Sequence, residues 1–168
     1  MQITLNNFAN YLIILLPAFL VSGPFLSDLS VILIDIIFLY LLYREKNFKY
    51  LDNSLFKFLI FFNIYISLRS IFTEDLLFSL KSSLTYVRFT ILIFAIKFFL
   101  ERNEKLLNTF SKIILLTIFI LFSDALFQYL NGYNFLGFKI ENHDKLNSFF
   151  ENEGVLGSYL VRLLPLFL

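Results

Sequence analysis

The sequence predicts an all-α membrane protein, a polytopic transmembrane helical bundle of about six helices. Hydrophobic residues make up 58% of its 168 residues and the mean hydropathy is +0.76, whereas a soluble domain is about 45–50% apolar. Apolar runs of about 15–20 residues recur along the chain, long enough or nearly so to cross a hydrocarbon core of roughly 30 Å. A soluble bundle would instead need many amphipathic helices, and the sequence shows few.

The helices are expected where the apolar runs lie. We predict them at residues 8–22, 29–43, 55–68, 84–100, 113–130 and 155–168. Gly23 and Pro24 form a tight turn between the first two. The first run lacks a basic start and a cleavage site, so we expect it to be retained rather than removed as a signal peptide. The last run spans only about 21 Å, so we interpret 1–168 as a single membrane domain, the N-terminal part of a larger protein with its last helix truncated.

The basic residues predict the orientation, because cytoplasmic loops carry an excess of Lys and Arg. The connection after the second helix contains Arg44, Lys46, Lys49 and Lys57, and the connection after the fourth is similarly basic. The other connections are poorer in basic residues and contain most of the loop acids. The N-terminus is therefore predicted to be cytoplasmic, with residues 131–153 on the opposite side.

Several charged residues fall within or at the ends of the predicted helices, at a similar depth near the non-cytoplasmic side. They are Asp35, Arg69, Arg88, Asp124 and Arg162. Charges in membrane spans usually face the bundle interior and mark a path or a site. One interpretation is that they form ion pairs that hold helices together. The other is a polar cavity whose arginine excess suits an anionic group, since arginine binds phosphate oxygens bidentately. At this depth, a lipid-linked diphosphate would fit.

Familiar catalytic and metal motifs are absent from the sequence. There is no Cys, and the single His, His143, lies in a polar loop where we expect it to be solvated. No Gly-rich phosphate loop is present, and a net charge of +1 does not indicate nucleic acid as a partner. We therefore predict no metal and no cofactor. Glu151 and Glu153 are expected to be solvated loop carboxylates, with a general-base role as the alternative.

Three stretches of the chain, in this order, resemble one protein family. They are SLRSIFTEDLLFSLKSSLTYVRFTILIFA, DALFQYLNGYNFLGF and KLNSFFENEGVLGSYLVRLLPL. Bacterial O-antigen ligases and O-antigen polymerases have a similar Asp-x-x-x-Gln-Tyr helix end and a Gly-Tyr-Asn loop. An Arg-Leu-Ser-Gly-Phe-Phe segment with an acidic residue follows, and then Gly-Ser-Tyr-Leu with a basic residue. The resemblance covers most of residues 65–168.

This resemblance implies a glycosyltransferase of the bacterial inner membrane that acts on the periplasmic side. The ligases transfer glycan from undecaprenyl diphosphate to lipid A-core, and the polymerases transfer it to another carrier-linked glycan. Membrane lipids would surround the protein. The implied diphosphate-binding residues are Arg69, Arg88, Lys145 and Arg162, with Asp35, Asp124 and Glu153 as supporting polar groups. The family's catalytic histidine would lie beyond Leu168, so the chain alone is expected to be inactive.

Two positions depart from the family pattern. Lys145 stands where the family has arginine, which keeps the charge but loses the planar fork. Asn147 and Ser148 replace a Ser-Gly pair, which removes the conformational freedom of the glycine. Two other functions stay open at this stage: a transporter or flippase subunit with charges lining a path, and a small membrane scaffold.

Overall fold

A computed structural model describes residues 2–139, 146, 148–150 and 155–163 of the chain. These residues form six α-helices: α1 (Gln2–Val21), α2 (Pro24–Glu45), α3 (Ser54–Ser70), α4 (Leu76–Arg102), α5 (Lys105–Asn131) and α6 (Leu156–Leu163). Single-turn 3₁₀ helices lie at Phe48–Tyr50 and Ser148–Phe150. In the described part of the chain there is no strand, only an isolated bridge between Tyr133 and Lys139. The predicted all-α class is confirmed.

Four of the helices, α1, α2, α4 and α5, are long and apolar enough to cross a membrane. The protein is therefore a membrane protein, as the composition predicts. The third helix has 17 residues, about 26 Å at 1.5 Å per residue. Orientation in the membrane stays a prediction.

The long helices extend beyond the apolar runs that predict them. The largest differences are at the starts of α4 and α5, which begin at Leu76 and Lys105 rather than at residues 84 and 113. Arg88 therefore lies twelve residues after the first residue of its helix, about 18 Å along the axis, and not four as predicted. The reason is that polar residues continue the backbone hydrogen bonding of a helix although they do not contribute to an apolar run. Residues 164–168 of the predicted last helix lie outside the described residues.

The chain divides into two compact units. Unit 1 comprises Met1–Ile13 and Asp28–Glu104, and α3 packs antiparallel on α4 within it. Asn63 Nδ2 donates a buried hydrogen bond of 2.8 Å to Thr90 Oγ1. The rings of Phe56 and Phe94 meet edge to face with centroids 5.0 Å apart. The contact between α3 and α4 thus combines one polar pair with aromatic packing.

The second contact in unit 1 joins α2 to α4, and these two helices run parallel. Asp28 pairs with Arg88 at one end, and Glu45 pairs with Arg102 at the other. Between them the buried ring of Phe38 meets Phe98 edge to face. Two membrane helices that are separated by one intervening span cross the membrane in the same direction, so α2 and α4 are expected to be parallel.

An aromatic cluster lies near the C-terminal ends of α2 and α4 in unit 1. Tyr50 and Phe98 pack edge to face with centroids 5.3 Å apart, and the Arg102 guanidinium lies 3.8 Å above the Phe98 ring. Tyr50 donates a 2.5 Å hydrogen bond to Glu101. Burial, followed by this hydrogen bond, raises the pKa of Tyr50 to about 12. This cluster fixes the basic connection after α2 against α4.

Unit 2 comprises Ile14–Ser27 and Lys105–Leu168. Its core contains Leu121 and Ala125 of α5 and Leu156 of α6. The side chains of Leu146, Phe149 and Phe150 are among those that pack on this core. It therefore anchors the segment between α5 and α6 next to the polar end of α5.

Candidate functional site

Two buried polar residues at the end of α5 hold the segment that follows it. Asp124 and Gln128 are four residues apart, and therefore share one helix face; neither side chain is exposed. Asp124 accepts hydrogen bonds from the Phe135 N–H at 2.8 Å and from the Ser148 hydroxyl at 2.5 Å. Gln128 Oε1 accepts from the Ser148 N–H at 2.9 Å. The helix end thus binds two separate parts of the connection to α6.

Asn134 links those two parts. Its Oδ1 accepts from the N–H groups of Leu136 and Phe138, at 3.0 and 2.8 Å, which is the turn chemistry that favours asparagine. Its Nδ2 donates to the Ser148 carbonyl oxygen at 2.7 Å. We refer to Asp124, Gln128, Asn134 and Ser148, all four fully buried, as the loop network.

Ser148 adopts a conformation that favours glycine. Its φ angle is +50°, in the left-handed region, which costs an L-residue roughly 1–2 kcal/mol. The family pattern that the sequence resembles has glycine at this position. In this chain the N–H, the carbonyl oxygen and the hydroxyl of Ser148 are all hydrogen bonded by the loop network. These bonds offset the backbone cost, and the hydroxyl bond is one that glycine could not make.

Asp124 is hydrogen bonded within the loop network and, in the part of the chain that the structure describes, does not form the ion pair that was one of the two predictions for it. Among the described residues its carboxyl oxygens accept from Phe135 and Ser148, and none of the ion pairs there includes it. Its observed contacts therefore organise the loop instead of neutralising a neighbouring arginine.

In unit 1, the structure pairs Arg88 with Asp28 and buries Asp35 on the same helix as Asp28. Arg88 Nη2 lies 2.9 Å from Asp28 Oδ1, and the guanidinium also lies 4.8 Å from the centroid of the Phe89 ring. Asp35, two turns beyond Asp28 on α2, is only 5% exposed, and neither of its oxygens has a hydrogen-bond partner. The charge of Arg88 acts on Asp35 as well.

The remaining predicted site residues that the structure describes are exposed residues in the last turn of a helix. Arg69 is exposed in the last turn of α3, where it lines a pocket of about 290 Å³ with Ser70, Thr73 and Ser79 among its neighbours. Arg162 is exposed in the last turn of α6. The predicted residues Lys145 and Glu153, together with Glu151 and His143, lie outside the described residues.

A separate cleft of about 300 Å³ opens between α3 and α4 in unit 1. Its lining is almost wholly apolar and includes Ile60, Ile64 and Leu84, with Asn63 and Ser67 as polar members. A surface of this kind suits a hydrocarbon chain.

Four residues of these two centres were missed by the sequence analysis: Asp28, Gln128, Asn134 and Ser148. A signal existed for three of them. Asp28 lies seven residues before Asp35, which places both on one helix face. Gln128 and Asn134 stand in the motifs that carry the family resemblance. For Ser148 the sequence indicated only a replaced glycine and not its hydrogen-bonding role, because that role depends on a backbone conformation.

Within the described ranges, no group of three or more His, Asp or Glu side chains could hold a metal ion. The chain matches no known protein-family model, and it is not detectably similar to a characterised protein or to a solved structure.

Proposed function

We propose that this chain is the N-terminal membrane region of an O-antigen ligase-like glycosyltransferase of the bacterial inner membrane. The enzyme would transfer glycan from undecaprenyl diphosphate to lipid A-core on the periplasmic side. A polymerase, which joins carrier-linked repeat units, is the closest alternative because it shares the same motifs.

The observation that carries the proposal is the loop network. Asp124 and Gln128 belong to the DALFQY stretch, Asn134 to the Gly-Tyr-Asn loop, and Ser148 to KLNSFF. These are the stretches on which the resemblance rests, and the side chains of Asp124, Gln128 and Asn134 all form hydrogen bonds with Ser148, through its hydroxyl or its backbone. A shared hydrogen-bond network gives a physical reason for the order and spacing of the motifs.

In the proposed reaction, the chain's own residues bind and position the donor. Arg69, Arg88, Lys145 and Arg162 would hold the diphosphate and stabilise the charge that develops as it departs. The apolar cleft between α3 and α4 would accommodate part of the prenyl tail. The loop network would fix the segment that carries Lys145. No residue of this chain is assigned as the general base.

The test is complementation in the source bacterium with the complete gene that encodes this sequence. Deletion should leave lipid A-core without glycan while carrier-linked polymer accumulates. A lipid A-core that instead carries a single repeat unit would show the polymerase alternative to be right. Unaltered lipopolysaccharide and carrier-linked glycan in the deletion strain would refute both.

Point variants in the complemented strain test the diphosphate site. Arg88→Ala and Arg162→Ala should abolish glycan transfer while the protein still inserts into the membrane. Lys57→Ala is the matched control, because Lys57 is an exposed residue that pairs with Asp52, and it should leave transfer unchanged. Undiminished transfer by both arginine variants would contradict the proposed binding site.

Lys145→Arg tests the alignment of the loop with the family pattern. Arginine restores the planar fork that can bind two phosphate oxygens. Transfer should be preserved or increased. A loss of transfer would mean that Lys145 does not occupy the family's arginine position.

The second candidate is a transporter or flippase subunit, and one observation favours it. Asp35 is a buried carboxyl group inside a membrane-spanning helix, and such residues often mark ion paths. A transporter would leave the glycan chemistry intact after deletion and would instead change the distribution of carrier-linked glycan between the two membrane faces.

A further inference from the structure

Asp35 stands out among the charged residues of the membrane helices. It is 5% exposed, and both carboxyl oxygens are buried without a hydrogen-bond partner. Its neighbours on α2 include Ile34 and Phe38, which are fully buried. An unpaired carboxylate is strongly disfavoured in such a place, and a bound proton would remove its charge.

The nearby arginine is already engaged. Arg88 pairs with Asp28 at 2.9 Å, while its Nε is buried and has no hydrogen-bond partner. From this geometry we propose that Asp35 is a proton-binding site in unit 1, and that release of its proton moves Arg88 from Asp28 toward Asp35. The proposal goes beyond glycan transfer and does not depend on it.

A proton fits this position better than a metal cation. A hard cation such as Ca²⁺ takes about six to eight oxygen ligands, whereas the described residues offer no group of three acidic or histidine side chains. A protonated carboxyl group can donate to a carbonyl of the preceding helical turn, as the hydroxyls of Ser67 and Thr117 do in this protein.

The geometry also allows Arg88 to change partners. Asp28 and Asp35 are seven residues apart, on one face of α2 and about 10 Å apart along its axis. Asp28 has a side chain that is 46% exposed, so it can stay solvated if Arg88 leaves. The segment Gln2–Ile13 of α1 contains no charged residue, and Lys57 and Arg69 of α3 are exposed. Arg88 is the charged group that acts on Asp35, and its ion-pair partner is Asp28.

Infrared difference spectroscopy of the membrane-embedded full-length protein tests the protonation of Asp35. Wild type at neutral pH should show the carbonyl band of a protonated carboxylic acid, and Asp35→Asn should remove it. Asp52→Asn is the matched control: Asp52 is fully exposed, and its hydrogen bond with Lys57 lowers its pKa, so its replacement should leave the band unchanged.

Several results would overturn the proposal. These are the absence of the band in wild type, a band that survives in Asp35→Asn, and a band that appears only after Na⁺ is removed. Asp35→Glu provides an answer even if Asp35→Asn does not fold, because glutamic acid keeps the proton site and should shift the band. A band at an unchanged position in that variant would also contradict the assignment.

The movement of Arg88 needs its own measurement. At neutral pH, Asp28→Asn should lower the thermal unfolding midpoint because it breaks the pair with Arg88. At alkaline pH below the titration of Tyr50, this effect should disappear in wild type, but it should persist in an Asp35→Asn background. An equal effect of Asp28→Asn at both pH values in the wild-type background would show that Arg88 does not change partners.

Discussion

Replacing Ser148 tests the loop network most directly. The Ser148 hydroxyl donates a 2.5 Å hydrogen bond to Asp124, and both residues are fully buried. A hydrogen bond to a charged group contributes about 1.5–3 kcal/mol, so Ser148→Ala should destabilise the closed loop by about 2 kcal/mol. Alanine also keeps the cost of the left-handed backbone, which lies at φ +50°.

Ser148→Gly separates the two effects. Glycine loses the same hydroxyl bond, but it adopts the left-handed conformation without the cost of about 1 kcal/mol that other residues bear. The expected loss is therefore about 1 kcal/mol, half that of alanine. The closed loop should be most stable in wild type, less stable in Ser148→Gly and least stable in Ser148→Ala.

The chain contains no Cys, so a single Leu146→Cys substitution reports on the loop. Leu146 is partly buried where it packs on the unit 2 core, and a thiol there should react with a maleimide faster when the loop opens. Since about 1.4 kcal/mol corresponds to a tenfold change in equilibrium, Ser148→Ala should accelerate labelling roughly 30-fold and Ser148→Gly roughly fivefold.

The matched control is Ser158→Ala, which removes an exposed hydroxyl that donates to the nearby Val155 carbonyl and should leave the labelling rate unchanged. If Ser148→Ala were labelled at the wild-type rate, the hydroxyl bond would not hold the loop. If the cysteine were labelled faster in Ser148→Gly than in Ser148→Ala, the left-handed backbone at Ser148 would not carry the cost assigned to it.

Three further predictions concern unit 1, each read from the thermal unfolding midpoint. Arg102→Ala removes the pair with Glu45 and the cation–π contact, and should cost about 1–3 kcal/mol in total. Thr90→Val removes the buried bond from Asn63 and should cost about 1 kcal/mol. The pKa of Tyr50 is raised to about 12 from an ordinary 10. Its contribution to the free energy of unfolding is therefore complete below pH 10 and is lost as the pH rises to about 12. Tyr50→Phe should abolish this pH-dependent loss of stability.

The helices could be predicted from the sequence because lipid selects for apolar residues along the whole length of a span. Their ends could not: Ser79, Lys81, Ser82 and Ser83 interrupt the apolar run, whereas α4 continues through them back to Leu76. The pairing of Asp28 with Arg88 was out of reach for a related reason. It requires α2 and α4 to lie side by side and parallel, and an apolar run does not specify its neighbour.

In the candidate site, too, part of the arrangement could be predicted from the sequence and part depends on the fold. The motif around Asp124 and Gln128 was recognised, but its physical meaning depends on where Ser148 lies in space. The sequence indicated a lost glycine at that position and therefore a cost. The structure adds the hydroxyl bond that offsets the cost, which follows from the fold and not from the pattern.

Two buried aspartates in this protein illustrate what a hydropathy argument cannot distinguish. Both interrupt an apolar helix at a position where a charge is costly, and the sequence analysis assigned them the same supporting role. Asp124 lies near a helix end, so a following loop can supply an N–H and a hydroxyl to its oxygens. Asp35 lies eleven residues inside α2, where backbone N–H groups are already used by the helix.

The consequence is a difference in chemistry between the two carboxyl groups. Asp124 is a structural acceptor whose removal should open a loop. Asp35 has no donor within the described residues, so a proton or a shift of Arg88 is what can compensate its charge. Position relative to the helix end, more than residue type, therefore decides whether a buried acid holds the fold together or responds to its surroundings.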